Sequence, residues 1–243
     1  MSELHPATRG FADSDRYERG RPGYPQAAVD TIVTELGLRP GRTVLDLAAG
    51  TGKLTRLLVP SGATVIAVEP MREMRDKLDG FVALAGTAEH IPLTDAYVDG
   101  VTVAQAFHWF DAERALREIH RVLRRGCGLA LIWNARDERQ PLQAALSEIF
   151  DRYEGDTPRR NQRDWKSLLA DSGLFERSAR VLFEHVQSVD EQTVVDRVLS
   201  VSFMASLPQE EQTVVEQEVR ELAHGATELS YMTELYLGFK PSS

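Results

Sequence analysis

Asp46, Ala48, Gly50 and Gly52 set an acidic group, a small residue and two glycines at alternate positions. Glycine reaches backbone angles closed to other residues and leaves its peptide bare, so such a turn lets a ligand lie against backbone. The turn follows an apolar run, Thr43-Val44-Leu45-Asp46-Leu47, and Leu54, Leu57 and Leu58 recur after it at helical spacing. Glu69 ends the next apolar run, 64–68. It stands about 20 residues beyond the turn, where a doubly wound sheet places the carboxylate that grips a ribose. These residues are built to hold a nucleoside. Further on, His108 follows the run 98–104, at the carboxyl end of an expected strand, where open α/β sheets bind ligands. It is read either as an acid–base group, for which its chemistry is suited, or as a side chain that packs and hydrogen-bonds beside the ligand.

The spacing separates the nucleotide types. A phosphate-gripping loop needs Gly-x-x-x-x-Gly-Lys-Ser/Thr; Gly52-Lys53 is present, but Leu54 follows and Leu47 occupies the place of the first glycine. A dinucleotide turn needs Gly-x-Gly-x-x-Gly, the third glycine permitting close helix–strand packing; Thr55 stands there instead. The order acidic-x-small-x-Gly-x-Gly fits, and it resembles motif I of the class I S-adenosylmethionine-dependent methyltransferases.

The resemblance extends over most of the chain. It implies S-adenosyl-L-methionine as cofactor, which carries no phosphate but a sulfonium and an ammonium that an acidic site favours. Asp46, Ala48, Gly50, Thr51 and Gly52 would form the loop, with Asp46 ordering its N–H groups or meeting the ammonium through water. Glu69, followed by Pro70 and Met71, is similar to the second motif and would accept both ribose hydroxyls. Gly86-Thr87-Ala88-Glu89 resembles the adenine loop, with contacts at Ala88 and Glu89; Thr87 stands where many members carry Asp. Gln105 and Ala106, with Phe107-His108-Trp109-Phe110 behind them, are similar to the segment beside the reactive methyl. They narrow the likeness to a small-molecule subgroup that includes the trans-aconitate methyltransferases. In that subgroup a Tyr-x-x-x-Arg-Pro-x-Tyr-Pro segment covers the cofactor, which assigns the role to Tyr17, Arg21 and Tyr24, with Arg21 on the cofactor's carboxylate. The implied reaction is in-line methyl transfer to a small-molecule acceptor, with His108 as base or orienter. Two other readings stay open: a nicotinamide-dependent oxidoreductase, disfavoured by the missing third glycine, and a non-catalytic binder of the same cofactor.

The elements that must position these residues alternate. Helices are expected from Pro25 to Leu36, from 53 to about Val59, at 71–78 and at 111–124 capped by Gly126, with strands at 44–47, 64–69, 81–84, 98–104 and 129–133. Such alternation with short links demands a doubly wound, mostly parallel sheet with helices on both faces. Helices at 141–153, 164–171, 194–203 and 210–223 and strands at 180–186 and 228–239 complete seven strands, the last antiparallel. One domain, 1–243, is expected: a lid at 1–25, a cofactor-binding half at 26–135, and substrate-side helices with the last two strands at 136–243. Acceptor residues are expected between Arg136 and Ala226, where Trp165 and Phe203, with Met204, Tyr231 and Met232, are apolar and suggestive, though core packing explains each at least as well.

Composition narrows the partners. Lys plus Arg number 28 against 37 Asp plus Glu, a formal net charge of −9. An acidic surface repels phosphate backbones, so nucleic acid is not an expected partner. The single cysteine, Cys127, can make no internal disulfide, which fits a reducing compartment; with no activating pattern around it, it reads as a buried hydrophobe rather than a reactive thiol. No apolar run approaches the roughly 18 residues of a membrane helix, and the first residues lack a basic-then-apolar leader. A cytoplasmic chain with no membrane partner is expected. His90 and His185 have no partner at metal-ligand spacing, so no metal site is expected.

Overall fold

A computed structural model describes residues 14–157 and 164–242. Residues 1–13 of the expected lid, and Ser243, lie outside the described residues. The elements run α1 (Ser14–Gly20), α2 (Gln26–Glu35), β1 (Thr43–Leu47), α3 (Lys53–Leu58), β2 (Thr64–Val68), α4 (Arg72–Arg75), β3 (Val82–Leu84), β4 (Val98–Ala104), α5 (Ala112–Val122), β5 (Leu123–Arg136), α6 (Pro141–Tyr153), α7 (Trp165–Asp171), β6 (Glu176–Ser188), α8 (Glu191–Leu199), α9 (Ser202–Ala205), α10 (Gln209–Leu222) and β7 (Glu228–Phe239). Among the described residues no helix is long and apolar enough to cross a membrane.

The strands form one seven-stranded sheet in the order β3-β2-β1-β4-β5-β7-β6. β1 pairs in parallel with β2, Leu45 opposite Ile66, and with β4, Leu45 opposite Val101. β2–β3 and β4–β5 are parallel too. β7 runs against β5: Gly126 N–H donates to Lys240 O, and Lys240 N–H to Cys127 O. The chain lays strands outward from β1 on one side, then returns to lay β4 on the other. The order therefore reverses between β1 and β4, and a crevice at their carboxyl ends is where such sheets bind ligands.

The described residues fall into two compact units, drawn from Met1–Gly23, Ala135–Thr157 and Glu184–Met232, and from Tyr24–Asn134, Pro158–Phe183 and Thr233–Ser243. In the second unit successive strand residues point to opposite faces, and both faces are buried. Leu45, Leu47, Ile66, Val68, Leu129, Leu131 and Trp133 enter one cluster. Val44, Val65, Ala130 and Ile132 enter the other, against Ala28, Val29 and Ile32 of α2. Double burial explains why these strands read as unbroken apolar runs. In the first unit Leu146, Ile149 and Phe150 of α6 pack with Val194, Val195, Val198 and Leu199 of α8 and Val215 and Val219 of α10. Here α1 lies so close on α8 that a Cβ on Gly20 would stand 2.4 Å from Arg197 N. Arg19 Nε also donates to Asp196 Oδ2 at 2.7 Å.

Four local expectations are corrected. Gly126 does not cap α5; it lies inside β5 with φ +72°. The chain passes from Val122 directly into a strand because Lys240, from beyond β7, supplies both a ladder partner and a cap. Its ammonium donates to His120 O at 2.7 Å and Leu123 O at 2.8 Å, satisfying carbonyls orphaned at the helix end. The helix expected at 71–78 stops at Arg75, since the N–H groups of Lys77 and Leu78 bond carbonyls only three residues back and tighten the chain into turns. The helix expected at 194–203 begins earlier, where the Asp190 side chain accepts from Thr193 N–H, and is broken from α9 by extended Val201. The helix α1 was not expected at all, and the last two strands match their expected places, β6 with longer ends.

Candidate functional site

The turn after β1 is built from alternating left-handed residues: Ala48 at φ +56°, Gly50 at +57° and Gly52 at +88°. Its glycines do different work. A Cβ on Gly50 would meet nothing within 4 Å, so bare backbone faces open space there. A Cβ on Gly52 would stand 2.6 Å from Leu78 Cδ2. A side chain at Gly52 would therefore have to displace Leu78, whereas the space beside Gly50 is open. Arg56 fixes the far side by donating to Thr51 O at 2.8 Å and Lys77 O at 2.9 Å.

Asp46 lies beneath this turn, 1% exposed. It accepts the Thr55 hydroxyl at 2.6 Å on one oxygen and the Thr102 hydroxyl at 2.9 Å on the other. Burial pushes its carboxyl up to about 6, against the pull of those hydroxyls and of the Thr55 N–H. Asp46 therefore orders the junction of β1, α3 and β4. Thr55 and Thr102 were not singled out from sequence: Thr55 appears there only as a missing glycine, and Thr102 is brought in by β4 pairing with β1.

Glu69 directly follows β2 and is 5% exposed. Its Oε2 accepts Gly50 N–H and its Oε1 accepts Met71 N–H, each at 2.9 Å. Arg75 holds the backbone on either side of Pro70, donating to Glu69 O at 2.8 Å and Pro70 O at 3.2 Å. Burial raises the Glu69 carboxyl above the usual range, partly opposed by the Met71 and Gly50 N–H groups. Each carboxylate oxygen has two lone pairs, so one on each remains beyond these bonds to take a hydroxyl.

The 86–93 loop is clasped by α5. Ala88 is buried in the core, and Glu89 Oε1 accepts Asp111 N–H at 3.0 Å. Ile91 is held on both sides of its peptide: Glu118 Oε2 accepts its N–H at 3.0 Å, and Arg121 donates to its carbonyl at 3.0 Å and to Leu93 O at 2.8 Å. Sequence reading missed Glu118 and Arg121. Their place one turn apart on a polar helix face is the sequence signal of a solvated pair, and nothing local points to the loop.

At the end of β4, Gln105 is left-handed at φ +57° and its N–H bonds Ile132 O at 2.9 Å. Ala106 then leads into a 3-10 turn, Phe107–Trp109. His108 Nδ1 accepts the indole N–H of Trp133 at 3.3 Å. Trp133 is itself stacked on Trp165, centroids 5.1 Å apart, and Phe107 meets Trp165 edge-on. Trp165 is core. Glu69, Gly50 and the β4 end thus belong to neighbouring strands of one unit, as does Tyr24, half-buried against the α2 cluster. Tyr17 and Arg21 belong to the other unit, where Arg21 lies over the Tyr17 ring at 5.1 Å and donates to Ser200 O at 3.2 Å.

A doubly wound sheet closed by an antiparallel seventh strand, with the acidic end of β2 tied to a glycine turn after β1, is the framework of the class I methyltransferases. Residues 45–131 match the family described as a methyltransferase domain. An uncharacterised methyltransferase of Mycobacterium tuberculosis (strain ATCC 25618 / H37Rv) is 44% identical over 210 residues, covering 85% of this chain and 82% of that protein. A methyltransferase-like protein of Schizosaccharomyces pombe is 37% identical over 214 residues, with the same shares of each chain. The chain belongs to this methyltransferase family. Among solved structures, a methyltransferase from an antibiotic biosynthesis pathway of Anabaena variabilis shares the fold at TM-score 0.64 and 20% identity, over 90% of this chain and 98% of that one.

Proposed function

We propose that the protein transfers a methyl group from S-adenosyl-L-methionine to a small-molecule acceptor. The observation that carries this reading is Glu69: a buried carboxylate with one lone pair per oxygen still available, hydrogen-bonded to the one glycine of the turn that is open to space. The residues fit such a cofactor. Asp46 and Glu69 make the turn acidic, which suits a cation and opposes phosphate.

Glu69, beside Pro70 and Met71, would take the ribose hydroxyls, and the backbone of Gly50, Thr51 and Gly52 the amino-acid part. Ala88 and Glu89 would meet the adenine, with Gln105 and Ala106 beside the reacting centre. Arg21 would hold the carboxylate and Tyr17 and Tyr24 cover it. When bound, the cofactor supplies an electrophilic methyl on a sulfonium. The chain's own contribution is orientation and exclusion of water, effects that supply roughly 7–11 kcal/mol when reacting atoms are held in line. His108 acts as an orienter. The Trp133 donor occupies Nδ1, so the neutral ring carries its proton on Nε2 and presents a donor, not a base, at that nitrogen.

The net charge of −9 disfavours nucleic-acid acceptors, and we place the protein, as one methyltransferase domain, in a reducing cytoplasm on its single cysteine. Calorimetry with S-adenosylmethionine, S-adenosylhomocysteine and NADH tests the reading. Binding of the first two and not the third is expected; NADH binding with no response to the others would overturn it.

A further inference from the structure

We propose that Arg197 is an anion-binding residue, set in the helical unit to take a carboxylate or another oxyanion of a small ligand. The proposal concerns that unit alone and does not depend on the methyl-transfer reading.

Arg197 lies in the last turn of α8 and is 7% exposed. Its neighbours on the helix, Val194, Val195, Val198 and Leu199, are all core. Its Nε and Nη1 are buried and have no hydrogen-bond partner among the described residues. The adjacent carboxylate, Asp196, is spent elsewhere: it takes Arg19 at 2.7 Å, Arg16 at 3.6 Å and the Gln192 amide at 3.1 Å. What Arg197 does meet is the ring of Phe150, with its guanidinium carbon 5.9 Å from the centroid. A ring face attracts a cation but is no substitute for oxygen acceptors on the N–H groups.

A second guanidinium, that of Arg136, stands 4.5 Å from the same ring and donates from Nε to Ser147 Oγ at 2.8 Å. Arg197 cannot shed its proton to escape burial, because an arginine stays charged in a protein. An oxyanion beside Phe150 would meet the open donors of Arg197. A guanidinium matches a carboxylate best, two planar groups joined by paired bonds.

The test is thermal melting of the full chain in acetate, inorganic phosphate and chloride at equal ionic strength, for wild type, Arg197→Met and Arg197→Lys. Wild type is expected to gain stability saturably in acetate or phosphate beyond the chloride control, the responding anion telling planar from tetrahedral. Arg197→Met is expected to lose that gain. Arg197→Lys, which keeps the charge without the planar donors, is expected to bind at least tenfold more weakly and decides the matter if the methionine variant does not fold. A wild-type response no greater than in chloride, or a variant that responds as wild type does, would overturn the proposal.

Discussion

Glu69 Oε2 accepts the N–H of Gly50 at 2.9 Å, joining the end of β2 to the apex of the turn after β1. The carboxylate thus shapes the turn, and in the proposed reading it also takes the ribose. Glu69→Ala removes both effects. S-adenosylmethionine affinity, measured by calorimetry, should fall by more than about 1 kcal/mol, the scale of charge-assisted hydrogen bonds. The Gly50 and Met71 amides should also exchange with deuterium faster. Unchanged affinity would show that Glu69 does not hold the ribose.

Asp46 makes stability depend on pH. Its carboxyl titrates near 6 in the folded chain against an ordinary 3.8. Between those values the folded chain keeps a proton that the unfolded chain has released, so stability falls as pH rises through that window. Glu69, also raised by burial, acts in the same direction. Asp46→Asn removes the Asp46 share. In urea unfolding, the variant should gain on wild type by roughly 2 kcal/mol between pH 4 and pH 7. A gap that stays constant over that range would refute the raised titration.

Gly20 allows α1 to touch the backbone of α8. Gly20→Ala places a methyl 2.4 Å from Arg197 N, and backbone cannot swing aside as a side chain can. Overpacking of this kind costs about 1–3 kcal/mol. Lower urea stability and faster limited proteolysis within 14–20 are expected; a variant indistinguishable from wild type in both would mean that α1 is not seated there.

With Nδ1 accepting the Trp133 indole N–H, a neutral His108 carries its proton on Nε2, as the proposed orienter role requires. Glutamine offers an N–H near that place, and alanine offers none. Labelled methyl transfer into cell extract should therefore survive His108→Gln within roughly tenfold, whereas losing a general base costs about 10²–10⁴-fold. Equal and severe losses in His108→Gln and His108→Ala would restore the base reading.

Much of the frame was legible because its causes are local. Val44, Leu45 and Leu47 are apolar on both sides of the strand, and Leu54 and Leu58 keep helical spacing, so β1, its turn and α3 could be placed without knowing what they touch. The same holds for Glu69, whose distance from the turn follows from one crossover. What could not be read depends on partners far along the chain. Lys240 caps a helix that ends at Val122, with Gly126 the nearer and wrong candidate. Thr55 and Thr102 become Asp46 partners only once β4 lies beside β1. Glu118 and Arg121 grip a loop some 27 to 30 residues before them, and α1 exists as a docked helix because Gly20 fits α8.

Ala48 and Gln105 directly follow β1 and β4, the two strands that flank the reversal of the sheet, and both are left-handed without being glycine. Such residues cost of order 1–3 kcal/mol each and persist only where surrounding structure dictates them. Relaxing them to glycine would make the fold easier to hold and the crevice harder to keep in shape. The rim of the crevice is therefore held in tension by the core beneath it, as a bent spring is held by its mounting.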